Sequence, residues 1–277
     1  MVFPHLPREQ YGAGLKRLFE KRFKFERSGD FVLSSRETSD PVTQSSPSAL
    51  AAVEADIARA CVAAKRTRQS VTLVAVSKTF GAEAIEPVLT SGQRVFGENR
   101  VQEAKAKWPP LRSKYPQTEL HLIGPLQSNK TRVVAETMHW VHSVDRLKIA
   151  ERLSAQRPTA LPPLNICIQV NISGEASKSG CAPDEAVALA KAASALPRLR
   201  VRGLMGMPQP GIGADATRSQ FALLARLYAD AKQQVASIDT LSMGMSDDLE
   251  IAVASGSTMV RVGTALFGAR PVNQQSG

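Results

Sequence analysis

The chain has 277 residues, 43% of them hydrophobic and 22% charged, with a formal net charge of +10. That is enough apolar material for one large domain and the wrong composition for a disordered chain, and no run reaches the roughly eighteen apolar residues of a transmembrane helix. The basic residues are scattered among carboxylates and aromatics make up only 5%, so a base-stacking nucleic-acid surface is not expected, whereas an anionic small ligand fits.

Residues 1–46 differ from the rest. YGAGLKRLFEKRFKFERSGDF mixes aromatic and basic residues, and SSRETSDPVTQSSPS has a linker's composition. No apolar run suited to a secretory signal follows the basic residues, and a poorly ordered N-terminal extension is expected. Regular patterning begins at Ser46-Pro47, a helix cap and first helical position. Leu50, Val53, Ile57, Ala60 and Ala64 then recur at helical spacing.

Strand-like runs follow at TLVAVSK (72–78), RVFGE (94–98), ELHLIG (119–124), HWVHSVD (139–145), LNICIQVNIS (164–173), RVRGLMGM (200–207), DTLSMGM (239–245) and TMVRVG (258–263). Segments with apolar residues three or four apart separate them: ENRVQEAKAKW, NKTRVVAETM, DRLKIAERLSAQR, PDEAVALAKAASAL, TRSQFALLARLYADAKQQ and SDDLEIAVASG. The alternation predicts a single (β/α)8 TIM barrel over 47–272, with a tail at 273–277. A doubly wound open sheet also alternates, but no GxGxxG follows the first strand. Pro87, inside EAIEPVLTSG, predicts a helix that starts late or kinks.

The cysteines, Cys61, Cys167 and Cys181, are odd in number and lack CxxC spacing. This argues against a disulfide framework or zinc site and suits a reducing cytoplasm. His139 and His142 have no companions at ligand spacing, so a metal is not expected.

In a barrel, strand C-termini share one mouth. That mouth would collect Lys78, Glu98 and Asn99, the GPLQSNK segment, Asn171 and Ser173 with a loop holding Lys178, the SMGMS segment, and RVGT from Arg261. Lys78 continues the face of Val74 and Val76. There, partial desolvation and nearby cations such as Arg261 would lower its amine pKa and favour imine formation with a carbonyl. Gly263 permits close backbone approach, and Thr264 opens a short segment whose N–H groups suit a phosphate. A lysine at a strand end is more often a solvated rim charge, and glycines more often serve turns. Together the two features suggest a phosphorylated aldehyde.

VAVSKT, FGENRVQEA, HLIGPLQSNK, QVNISGEASKSG, LRVRGLMGMPQP, LSMGMSDDLEIA and GSTMVRVGTALFGAR together resemble the YggS/PROSC family of pyridoxal phosphate homeostasis proteins, from about Leu50 to Arg270. The resemblance implies a barrel of the alanine racemase N-terminal-domain type binding pyridoxal 5'-phosphate. Lys78 would be the imine lysine and Asn99 would lie beside the cofactor. Ser246, Gly263 and Thr264 would hold the phosphate, and Arg261 would face the pyridine nitrogen. An arginine there keeps that nitrogen unprotonated and restricts carbanion chemistry. Two departures affect the rim: Phe80 and Arg100 stand where many members have lysine and tyrosine.

The implied role is non-catalytic: a cytoplasmic, monomeric carrier that buffers the cofactor or delivers it to apo-enzymes, with no membrane or nucleic-acid partner. The alternative is a racemase-like enzyme, which needs acid/base groups on both faces of the imine. Tyr11, Tyr115 and Tyr228 lie away from the strand ends, the racemase tyrosine position after the lysine is Ala82, and little chain follows GTALFGAR to build a second domain.

Overall fold

The computed structural model describes residues 47–175 and 177–268. The expected extension over 1–46, Ser46 as helix cap and the tail over 273–277 lie outside the described residues.

Helix α1 (Pro47–Ala63) precedes an alternation of β1 (Thr72–Val76), α2 (Ala82–Thr90), β2 (Val95–Glu98), α3 (Val101–Lys114), β3 (Glu119–Leu122), α4 (Thr131–Thr137), β4 (Trp140–Val144) and α5 (Leu147–Gln156). It continues with β5 (Leu164–Val170), α6 (Ala186–Ser194), β6 (Leu199–Gly206), α7 (Ala214–Gln234), β7 (Thr240–Ser242), α8 (Leu249–Ala254), β8 (Met259–Val262) and α9 (Thr264–Phe267). The strands pair in parallel in chain order, and β8 closes on β1. The fold is a TIM barrel, and closure removes the open-sheet alternative. None of the described helices is long and apolar enough to cross a membrane.

Strand parity divides the core. Leu73, Ala75, Phe96, Leu120, Leu122, Ile166 and Ile168 face outward and pack with the helices. Val74, Trp140, Cys167, Met205 and Met259 form a separate apolar cluster inside the barrel. Strands buried on both faces carry apolar residues in succession, and for that reason they read as continuous runs rather than alternations.

The strands are shorter than their apolar runs, and after β1 the chain enters a turn at Lys78–Thr79. β1 stops at Val76 rather than Lys78, and β7 spans only Thr240–Ser242. Pro87 neither delays nor ends α2: it sits within Ala82–Thr90, whose Ile85, Val88 and Leu89 are buried. Helix α3 runs through Pro109 and Pro110 to Lys114 although the sequence pattern ends near Trp108. Burial of Trp108 and Leu111 on either side of the prolines anchors both halves of the helix.

Candidate functional site

The ends of β1 and β8 lie side by side. Their register pairs Val74 with Arg261 and Ala75 with Val262, which brings Val76 level with Gly263. A β-carbon on Gly263 would stand 3.2 Å from the Val76 carbonyl oxygen, so glycine leaves this turn open. Beyond it, the Phe80 and Phe267 rings stack with centroids 5.1 Å apart. Lys78, half-buried, falls between Val76 and Phe80 in the chain. Gly263 precedes α9, whose first two amides, those of Thr264 and Ala265, come before the first bond of the turn, from Leu266 N–H to the Gly263 carbonyl at 2.9 Å.

The end of β7 joins the same corner. The Arg261 N–H donates to the Gly244 carbonyl at 2.9 Å. Gly244 has φ +98°, and a β-carbon there would meet that of Ala252 at 2.5 Å, so a side chain is excluded on both grounds. The following loop bears exposed Ser246 and is pinned where Met245 N–H donates to Asp248 Oδ1 at 2.6 Å. Asn99 is half-buried at the end of β2, and its backbone packs tightly on Gly124 after β3.

Arg261 points into the barrel and is 4% exposed. Its Nη1 donates to Ser242 Oγ at 2.7 Å and its Nη2 to the Gly206 carbonyl at 3.3 Å. No carboxylate among the described residues lies within ion-pair distance of it. Burial lowers its pKa to about 10, opposed by the more distant Asp248, so the guanidinium remains charged near neutrality. A buried cation without an ionic partner can present its remaining donor capacity to an electron-rich ring nitrogen.

The loop carrying Lys78 is clamped from behind. Glu98, expected at the mouth from its strand position, instead faces outward toward α3 and is 0% exposed. Its Oε1 accepts from Ser77 Oγ at 2.5 Å and from Trp108 Nε1 at 3.0 Å, and lies 2.9 Å from Lys107 Nζ. Lys107 in turn donates to the carbonyls of Ser77 at 2.7 Å and Phe80 at 3.1 Å, the two residues that bracket Lys78-Thr79. Thr79 itself holds a left-handed φ of 68°, with its N–H donating to Glu103 Oε2 at 3.2 Å. The alternation predicted from Val76 therefore ends in a fixed turn rather than an extended strand tip.

The supporting roles of Ser77 and Lys107 are not visible in the sequence. The signal available was the i, i+9 spacing of Glu98 and Lys107 across the start of α3, which is uninformative without knowing which way Glu98 faces. Two other strand-end candidates are occupied elsewhere. Asn171 Oδ1 accepts from Ser173 Oγ and Gly174 N–H and so closes its own loop. Lys178 pairs with Glu175 at 3.8 Å on the surface.

Residues 50–271 match the family model described as alanine racemase, N-terminal domain. A curated relative from Pseudomonas aeruginosa named Pyridoxal phosphate homeostasis protein is 56% identical over 221 residues, covering 80% of this chain and 94% of its own. One of the same name from Escherichia coli K12 is 49% identical over 227 residues, covering 82% and 97%. Among solved structures, PipY of Synechococcus elongatus with PLP bound superposes with a TM-score of 0.69 at 37% identity, covering 80% of this chain and 99% of that one. An alanine racemase of Clostridium difficile, 13% identical with a TM-score of 0.63, shares the fold; the match covers 80% of this chain and 57% of that one.

Proposed function

This chain belongs to the pyridoxal phosphate homeostasis family, built on the alanine racemase N-terminal domain, and on that premise we propose that it binds pyridoxal 5'-phosphate reversibly through Lys78 and buffers or delivers it without catalysing turnover. The observation that carries this reading is the juxtaposition of the β1 and β8 ends, where Val76 packs on Gly263 and Phe80 on Phe267, the two residues of β1 and its loop that flank Lys78 in the chain. The residues present suit the cofactor's chemistry. The turn without a β-carbon and the first amides of α9, together with the hydroxyls of Thr264 and Ser246, would hold the phosphate. Buried Arg261 would face the pyridine nitrogen, and Asn99 would flank the ring.

When bound, the cofactor would supply an aldehyde, and Lys78 would supply the amine that holds it reversibly. The clamp formed by Glu98 and Lys107 holds the Lys78 backbone in place, and a reversible linkage needs no further acid or base.

Racemase-type chemistry has less support. Tyr115 sits at the end of α3, where the Arg94 guanidinium lies 5.7 Å from its ring centroid, and Tyr228 lies within α7. Neither belongs to a strand end. The three cysteines are free and buried, in keeping with the reducing cytoplasm we assign to this protein. We take it to act as a monomer with apo-enzymes as recipients.

Loading the purified protein with pyridoxal 5'-phosphate, reducing with borohydride and mapping the peptides tests this. The label is expected on the Lys78 peptide and absent in Lys78→Ala, with no racemization of either alanine enantiomer. Label elsewhere, or sustained racemization, would overturn it.

A further inference from the structure

A run of polar side chains crosses the apolar barrel interior. At its lower end is a cavity of about 430 Å³ at the N-terminal mouth, lined in part by Glu119, His121, Trp140, Arg202 and Asp239. Glu119 Oε2 lies 3.6 Å from His121 Nε2. His121 Nδ1 then meets His142 Nε2 at 2.9 Å, and His142 Nδ1 meets Ser242 Oγ at 2.9 Å. Ser242 accepts from Arg261 at the cofactor end. His121, His142, Ser242 and Arg261 are all buried, and they come from β3, β4, β7 and β8.

The direction of this run follows from proton counting. Both histidines are held neutral, His142 well below and His121 below the usual imidazole range, chiefly by burial. Each therefore carries one N–H, and the 2.9 Å contact between them holds one proton. Either both are Nε2–H tautomers or both are Nδ1–H. With both Nδ1–H, His121 would turn a bare Nε2 lone pair toward the Glu119 carboxylate. His142 would also donate to a Ser242 oxygen already receiving from Arg261, leaving the serine proton with no acceptor among the described residues. With both Nε2–H, each contact is donor to acceptor, from Arg261 through Ser242, His142 and His121 toward Glu119. His121 Nε2, buried and otherwise without a hydrogen-bond partner, then aims its proton at that carboxylate.

We propose that Glu119, His121, His142 and Ser242 form a one-directional positioning relay that fixes the Arg261 guanidinium, so that a carboxylate at one mouth of the barrel orients the cation at the other. Ser242 is its central residue, because its single hydroxyl both accepts from Arg261 and donates to His142. These are positioning residues, and their service to the cofactor rests on the function proposed above, whereas the relay itself can be tested without cofactor.

Nitrogen NMR of the cofactor-free full chain, labelled in histidine and arginine, reads it directly. Both His121 and His142 are expected as single Nε2–H tautomers, with slowly exchanging Arg261 side-chain N–H signals. His139, whose Nδ1 accepts the Leu120 N–H at 3.0 Å outside the relay, serves as a folding control and should not move. Ser242→Ala should release the Arg261 signals to fast exchange and mix the tautomers of His142. Glu119→Ala, a change at a half-exposed side chain remote from Arg261 in the run, should mix the tautomers of both histidines. Ser242→Thr, which keeps the hydroxyl, should restore the Arg261 signals.

An Nδ1–H tautomer at either histidine in the parent protein, or Arg261 signals unchanged by Ser242→Ala, would overturn the relay. If the tautomers hold but borohydride labels nothing, the relay stands and the cofactor function falls. If Lys78 is labelled but the tautomers are wrong, the reverse follows.

Discussion

Replacing Lys107 by methionine should unfasten the loop that carries Lys78. The Lys107 side chain is 11% exposed and its Glu98 partner 0%. The ammonium lies 2.9 Å from the carboxylate and donates to two backbone carbonyls at 2.7 and 3.1 Å. Methionine fills much of the same volume but leaves a buried carboxylate whose Oε2 already lacks a partner. One-sided removal of a buried charge pair costs about 3–5 kcal/mol. Ser77 and Trp108 still donate to Glu98 Oε1, so the lower end, about 3 kcal/mol, is expected, a large share of a domain's usual stability.

Urea denaturation of cofactor-free protein measures this as a fall in midpoint at constant slope. The double variant Glu98→Gln with Lys107→Met removes the stranded charge and should cost no more than Lys107→Met alone. Cofactor loading should fall in the single variant, because Lys78 sits between the two carbonyls that Lys107 holds. A loss below about 1 kcal/mol, the value of an exposed pair, with unchanged loading would refute the clamp.

Three further outcomes follow from the same geometry. Gly263→Val places branched carbons where a β-carbon alone stands 3.2 Å from the Val76 carbonyl, and fluorescence titration should find cofactor binding weakened about tenfold or more, a loss of at least ~1.4 kcal/mol; affinity equal to the parent's would count against a phosphate turn here. His139, with its pKa lowered to about 4 mainly by burial, together with His121 and His142, lowered in the same direction, takes up protons less readily when folded than when unfolded. Stability is therefore present above the unfolded value near 6.5 and declines as pH falls below it, by up to about 1.4 kcal/mol per pH unit for each histidine. Urea midpoints at pH 7.5, 6.5 and 5.5 should show the decline, and a flat series would contradict it. Cys61, Cys167 and Cys181 are buried, and burial raises the thiols of Cys167 and Cys181 to about 12; a thiol-reactive dye should label none of the three until the protein unfolds, and rapid native labelling would refute their burial.

The barrel was legible because its strands, covered on both sides, appear as apolar runs separated by helical periodicity, and because strand order follows chain order. Lys78, Arg261 and Gly263 could be collected from strand ends, since closure brings β8 back to β1. Side-chain direction past the last ladder bond was harder to read. Lys78 follows two residues after β1 and precedes a left-handed Thr79, so parity stops being a guide there. Glu98 is the last residue of β2 but faces the helices, a matter of register that its identity does not reveal.

Ligand spacing sets His142 beside His139, and it carries no sign of the interior pairing of His142 with His121. A usable signal existed: His121 in ELHL, His142 in WVHSV, Ser242 in TLS and Arg261 in MVRV each place a polar residue among apolar strand neighbours. In a closed barrel such positions can share one interior. Their pairing, across as many as 100 residues between His142 and Ser242, depends on the topology rather than on spacing.

Closure also has a consequence for biosynthesis. The strand leading to Lys78 is made before the other seven of the barrel, yet one of its edges is completed only by Met259–Val262, the last of them. A nascent chain stalled before that point holds the lysine beside an unzipped edge, with neither the arginine nor the glycine turn yet available. Competence to capture the vitamin should therefore arrive abruptly, once β8 has been made and has paired.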